Sequence, residues 1–299
     1  MKPHVRAKNF FIYLLEAARQ VRLYFLKQRI IRREHTFRAL PSLGREPEGG
    51  ADAPRLLVVI THVAGQAKHH TVSKHEKLSA VLNGIRQSFA HLRHEIVINT
   101  LPGRHIVDEL PTHLTAGLVV HAEDTPEPML VGFRAQDLFA ARREAFDYFL
   151  FLEDDVVIQD TLFLDKYQLF NRFTHDPKFL LMPNRYEIDG AKKVYIDQNR
   201  YSKLAHLDLD GIQLSECANI HSASYLLSRE QLDLWLASGR QLHRQVSYIG
   251  PLESAASGCL MEVFRVYKPA PPNLRFLEVR HYDNCYAEVS VQRAAEQAG

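Results

Sequence analysis

Residues 146–160 read FDYFLFLEDDVVIQD, and this stretch decides the fold. Five of the six residues from Phe146 to Phe151 are aromatic or aliphatic, Leu152 follows, and then come Glu153, Asp154 and Asp155. A near-continuous apolar run is what a strand covered on both faces requires, as in a parallel sheet. In open parallel α/β sheets, ligands bind outside the carboxyl ends of the strands, which is where the three acids would stand. Adjacent carboxylates repel one another unless a cation or hydrogen-bond donors balance them. Hard oxygen ligands suit Mg²⁺ or Mn²⁺, ions that commonly hold a diphosphate against a protein. The plain alternative is a loop start with solvated acids.

Working outward, Arg55-LLVVITH reads as a second buried strand, and His75–Leu92 as a helix. Glu95-IVINT and Gly117-LVVHA read as strands, and 132–146 as an amphipathic helix. Strands alternating with helices at this spacing predict βαβ units and a mostly parallel sheet. Farther on, helices are expected near Thr161–Phe173, Glu230–Leu236 and from Pro251, where proline suits a first helical position. Strands are expected near Lys178–Met182, Ser222–Leu227 and Phe264-RVYKP. The end, Glu278-VRHYDN, is polar and carries a histidine.

The 299 residues, 46% hydrophobic and 24% charged, have an ordinary globular composition. Residues 1–36 hold nine Lys or Arg against two Glu, so this basic segment stands on a mildly acidic remainder. Three cysteines without a CxxC pair are too few for a disulfide framework, and reduced thiols are the simpler expectation. No stretch near the start approaches the ~20 apolar residues needed to span a bilayer. Residues 8–28 do fit a helix with Phe10, Leu14, Ala17, Ala18, Val21 and Phe25 on one face and basic residues elsewhere. Such a helix lies on an anionic membrane surface, or packs on the body or on a second subunit. Nucleic acid is the least favoured occupant, and no nucleic-acid partner is expected. Residues 41–54, rich in Pro, Gly and acids, read as a linker. The expected organisation is a helical extension over 1–40, the linker, and one catalytic domain over 55–299, with a nucleotide-binding half at 55–160 and an acceptor-binding half at 161–299.

A very hydrophobic strand ending in Leu-Glu-Asp-Asp-Val, after a basic helix with Arg134, Arg142 and Arg143, resembles the GT-A nucleotide-sugar glycosyltransferases. In that family a DxD motif, which some members write Glu-Asp-Asp, closes the nucleotide-binding half. The resemblance covers roughly residues 55–285 and is specific at few points. It implies a Rossmann-type α/β/α sandwich with a mostly parallel central sheet, preceded here by the amphipathic helix. It further implies Asp155 as a ligand of Mn²⁺ or Mg²⁺, and Asp154 as a contact of the ribose or a metal-bound water. Glu153 is a weaker member of the motif. Thr61 and His62 would contact the base and ribose, Asn99 the nucleobase, and Arg134 would face the diphosphate. His281 matches the C-terminal histidine that binds the ion in many members; a satisfied surface histidine is nearly as good a reading.

The expected function is transfer of a sugar from a nucleotide donor, UDP-linked by preference, to a glycan or glycolipid acceptor in cell-surface polysaccharide or lipopolysaccharide biosynthesis. The expected location is cytoplasmic, with residues 8–28 able to hold the chain at the inner face of the membrane. An inverting enzyme needs a carboxylate within hydrogen-bond reach of the acceptor hydroxyl. Glu253, in Ile249-Gly-Pro-Leu-Glu-Ser254, is the candidate, although acids in a first helical turn are favoured in any case by the helix dipole. Asp283 is the reserve. Lys68-His-His-Thr-Val-Ser-Lys-His75 has no defensible zinc spacing and reads as polar loop near the nucleotide. Ser222, Ser224 and Tyr225 would line an acceptor pocket or pack as strand residues, and Trp235 would lie in the core or stack on a sugar. Motifs of dinucleotide enzymes, P-loop NTPases, zincins and serine hydrolases are absent. Two rivals remain: a nucleotidyltransferase, disfavoured by the single glycine (Gly65) after the first strand, and a non-catalytic GT-A-like binding protein, disfavoured by the intact acids.

Overall fold

The structure, a computed structural model, describes residues 53–65, 72–125, 128–196, 201–217, 221–240, 250–256, 260, 262–271, 273–283 and 286. The expected helix over 8–28, most of the linker, and residues 68–71 of the histidine segment lie outside them. In chain order the elements are β1 (Arg55–Thr61), α1 (Lys74–Ser88), β2 (Arg93–Thr100), α2 (Thr112–Thr115), β3 (Leu118–Ala122), α3 (Arg134–Arg142), β4 (Tyr148–Glu153) and β5 (Val156–Val157). There follow α4 (Phe163–Thr174), β6 (Phe179–Leu181), β7 (Asn184–Asp189), β8 (Lys192–Tyr195), β9 (Tyr201–Leu209) and β10 (Ile212–Cys217). Last come β11 (Ser224–Ser228), α5 (Arg229–Ala237), α6 (Pro251–Ala256), β12 (Arg265–Pro269) and β13 (Glu278–His281).

The central sheet has the order β11-β4-β1-β2-β3. β1 runs parallel to both β2 and β4, and β2 is parallel to β3, so only β11 runs against the rest. This is the arrangement that the apolar runs predict: Leu56–Ile60 and Phe149–Leu152 are fully enclosed, covered on both faces. The register places Thr61 beside Asn99 on one side and beside Glu153 on the other. The carboxyl ends of the three central strands are therefore level, and the acids emerge there. Packing fills the space around them: Phe151 stacks on Tyr225 with centroids 5.1 Å apart, and Trp235 meets Tyr225 edge-on. Trp235 is thus a core residue, fully buried, and Ser222 and Ser224 are buried strand-entry residues.

The second half departs from the expectation of one mostly parallel sheet. Two further four-stranded sheets of mixed direction are present, β6-β12-β10-β9 and β5-β13-β7-β8. The polar segment 278–281 is a strand, parallel to β7 and antiparallel to β5. Its polar residues disguise it because charged side chains occupy positions that other strands fill with apolar ones. The apolar residues after the acids now have a purpose. Val156-Val157 is the short strand that receives β13, pairing Val156 with His281 and Val157 with Arg280. The acids thus sit in the turn between a strand of the central sheet and a strand of another.

Helix α1 is locked against this turn. Ser73 caps it, its hydroxyl accepting from the Glu76 amide at 3.2 Å. Gly84 faces the segment after the acids so closely that a Cβ there would stand 2.4 Å from the Ile158 carbonyl oxygen. Ser88 Oγ donates to that same oxygen at 3.2 Å and accepts from the Asp160 amide. No helix among the described residues is long and apolar enough to cross a membrane.

Candidate functional site

The three acids take different directions because the chain turns between β4 and β5. Asp154 points inward and is nearly buried. His62 Nδ1 lies 2.6 Å from its Oδ2, and Lys74 Nζ donates to Oδ1 and Oδ2 at 2.8 and 2.7 Å. Burial alone would push the Asp154 carboxyl up, but the His62 hydrogen bond and the Lys74 ammonium hold it below the usual carboxylate range. Burial also works against the Lys74 charge, yet Asp154, then Asp155 and Glu153, raise its pKa above the ordinary lysine value. Both Asp154 oxygens are thus engaged within the protein, by His62 and Lys74, whereas the resemblance implied a contact of the ribose or of a metal-bound water.

Glu153 and Asp155 lack that balance and act on one another electrostatically. Burial first, and next the charge of Asp155, push the Glu153 carboxyl up to about 8; Arg185 opposes this, while Asp154 and Glu253 add to it. That set of influences places Arg185 and Glu253 in the same neighbourhood as the acids. Such a perturbed carboxyl in a cluster of charges is a mark of a functional site.

Asp155 does not point into bulk solvent: its side chain is 15% exposed, and Oδ1 is buried without a hydrogen-bond partner. Its Oδ2 lies 3.7 Å from His281 Nε2, too far for a hydrogen bond. On the other side of the ring, His281 Nδ1 is 2.7 Å from Glu187 Oε1. Glu187 is fully buried, and its second oxygen accepts from the Tyr286 amide at 2.9 Å. A carboxylate on Nδ1 fixes the ring and turns Nε2 outward, which is how ion-binding histidines are usually held. Glu187 and Arg185 alternate on β7, and Val279 and His281 on β13, so these side chains share a face of that sheet.

These features fit a divalent cation. Among the described residues no three His, Cys, Asp or Glu side chains gather closely enough to cage an ion. An ion held by one or two protein groups, with substrate phosphates and water completing its shell, needs no such cage. The orphaned Oδ1 of Asp155 and the outward Nε2 of His281 are the groups that would hold it.

Several other sequence candidates are engaged in contacts within the protein. His62 and Asn99 are fully enclosed. Asn99 Nδ2 donates to the Val131 carbonyl at 2.8 Å and to Thr61 Oγ1 at 3.3 Å, which braces the strand ends and leaves no amide hydrogen to present to a base. Arg134 is nearly buried, and its guanidinium donates to the carbonyl oxygens of Glu123 and Asp124, pinning that loop. Asp283 is sealed in an ion pair with Lys77 at 2.7 Å, so it offers no reachable carboxylate to an acceptor. Thr61 remains partly exposed at the end of β1. Glu253, also partly exposed, lies in the first turn of α6 and folds back over Gly250, where a Cβ would meet its Oε2 at 2.8 Å.

Lys74, Arg185 and Glu187 went unread in the sequence. Asn184-Arg-Tyr-Glu-Ile-Asp does alternate, with charges at 185, 187 and 189, and that period of two was the available signal. Lys74 carried no signal beyond its place near the start of a helix.

No family model matches the chain, and no curated protein is similar to it in sequence. Among solved structures, A197 from STIV matches with a TM-score of 0.35 and 14% identity, over 72% of this chain and 82% of that one. A glycosyltransferase involved in the glycosylation of the major capsid of PBCV-1 matches with a TM-score of 0.36 and 10% identity, over 80% of this chain and 98% of that one. Likenesses this distant assign neither a family nor an activity.

Proposed function

We propose that the protein is a metal-dependent GT-A glycosyltransferase that moves a sugar from a nucleotide donor, UDP-linked by preference, to a glycan or glycolipid acceptor. One observation carries this reading: Asp155, at the carboxyl end of a central parallel strand, has a buried unpartnered oxygen beside an imidazole whose far nitrogen is held by a buried carboxylate. Mn²⁺ or Mg²⁺ bound there would neutralise charge that develops on the leaving nucleoside diphosphate. Asp155 and His281 hold that position, and Glu187 keeps the His281 ring turned toward it. Lys74 keeps Asp154 charged and engaged within the protein, which leaves Glu153 and Asp155 as the acids that would meet the donor. Arg185 supplies a positive charge beside Glu153. Glu253 would take the proton of an acceptor hydroxyl, a role supported by its partial exposure and by its electrostatic influence on Glu153.

In this reading the chain works at the inner face of the membrane, held there by residues 8–28, and contributes to cell-surface polysaccharide or lipopolysaccharide. The test is a screen of nucleotide sugars for release of nucleoside diphosphate, with Mn²⁺, with Mg²⁺ and with chelator. Metal-dependent release that Asp155→Ala abolishes is the expected result. Release indifferent to metal, or unchanged in Asp155→Ala, would remove the assignment.

A further inference from the structure

We propose that the buried Lys77–Asp283 ion pair is a positioning device, which sets the register of β13 and thereby delivers His281 to Asp155. The inference rests on the reading of Asp155 and His281 as the cation-holding pair. Lys77 Nζ and Asp283 Oδ2 are 2.7 Å apart, with side chains 1% and 2% exposed. Lys77 lies one turn beyond Lys74 on α1, and between them Glu76 Oε1 accepts from the Tyr282 hydroxyl at 3.5 Å. The first turn of one helix therefore grips both Asp154 and the segment that follows β13. The helix cannot shift to accommodate a misplaced partner, because Gly84 and Ser88 key it to Ile158.

The need for such a device follows from the shortness of the strands. β5 has two residues and pairs with β13 at two positions; β13 pairs with β7 at three. A slip of two residues would keep every side chain on its own face, so alternation alone does not forbid it. It would put Val279 or Asp283 where His281 belongs. A buried ion pair adds little net stability compared with an apolar pair, but a buried charge left without its partner is strongly disfavoured. The Lys77–Asp283 pair thus penalises the wrong register far more than it rewards the right one. Fixing register is the best-attested use of a buried polar contact.

The test measures Mn²⁺ binding to the full chain by electron paramagnetic resonance of free Mn²⁺, with and without UDP. The variants are Lys77→Met/Asp283→Asn, the single Asp283→Asn, His281→Ala, and each of the first two combined with His281→Ala. Lys77→Met/Asp283→Asn removes both charges of the pair together, while Asp283→Asn leaves an amide oxygen for Lys77 to donate to at the cost of a buried charge, so circular dichroism should show native content in the paired variant at least. We expect the paired variant to lose about 10-fold or more in Mn²⁺ affinity, Asp283→Asn to lose less, and neither to lose anything further once His281 is alanine. Wild-type affinity in the paired variant overturns the inference, as does a loss that simply adds to that of His281→Ala. Wild-type protein that binds no Mn²⁺ overturns the cation pocket itself, and this failure is told apart from the other by the wild-type titration.

Discussion

The backbone nitrogen of Tyr282 donates to the backbone oxygen of Asp155 at 2.8 Å. That bond continues the pairing of β13 with β5 past the last strand residue and into the acidic turn. It makes the position of the C-terminal strand and the conformation of the acids a single structural quantity. Whatever moves one moves the other, and the consequences can be measured.

Glu187 touches no ligand in this arrangement, yet its loss should be felt at the cation. Glu187→Gln keeps the shape and a hydrogen bond but removes the charge that orients His281. Mn²⁺ affinity should fall about 10- to 100-fold with the fold intact. Calorimetric titration with Mn²⁺ and UDP checks this; an unchanged isotherm would detach Glu187 and His281 from the ion.

The raised Glu153 carboxyl makes stability depend on pH in a stated direction. Burial, followed by the charge of Asp155, lifts it from 4.5 to about 8, so the folded chain keeps a proton that the unfolded chain has released. The stabilisation it contributes is fully present below about 4.5 and is lost as pH rises through about 8. The loss is at most about 1.4 kcal/mol per pH unit. In metal-free protein, the melting temperature of wild type relative to Glu153→Gln should therefore fall across that window, and parallel curves would show that Glu153 does not titrate there.

Lys74→Met should destabilise the protein by leaving Asp154 charged and buried. Breaking such pairs costs about 3–5 kcal/mol when fully buried, and the partial exposure of Lys74 lowers the figure to about 2–4 kcal/mol. Adding Asp154→Asn should restore part of the loss. Urea denaturation of the two single variants and the double gives the coupling directly.

Gly84→Ala tests the seat of α1. The added carbon meets a backbone oxygen at 2.4 Å and Val157 Cγ1 at 2.9 Å, neither of which is the end of a flexible side chain. Overpacking of this kind costs about 1–3 kcal/mol, more than the gain alanine brings to a helix. A more stable variant in thermal denaturation would contradict the packing described.

Glu253→Gln separates binding from chemistry. With the carboxylate gone, turnover should fall about 10²- to 10⁴-fold while the Kd for donor and Mn²⁺ stays near that of wild type. Equal losses in both would make Glu253 a binding group.

Much of this architecture was legible as text. Leu56–Ile60, Ile96–Ile98 and Phe149–Leu152 are apolar without interruption because each is covered on both faces, and their spacing announces helices between parallel strands. The position of Glu153-Asp154-Asp155 followed from the same run. The roles of the neighbours did not. His62 and Asn99 have the chemistry of nucleotide contacts but are spent on Asp154 and on the Val131 carbonyl. The strands β7 to β10 escaped because strands that carry charged and polar residues along their length lack the continuous apolar signature.

A parallel strand announces itself through its own residues, since burial on both faces demands apolar side chains in sequence. The central sheet and the acids at its edge were therefore determined locally. The pairing of Asp155 with His281, the support of that ring by Glu187, and the clamp of Lys77 on Asp283 join segments far apart in the chain. No run of neighbouring residues encodes them, because they exist only once two sheets and one helix have closed around the turn.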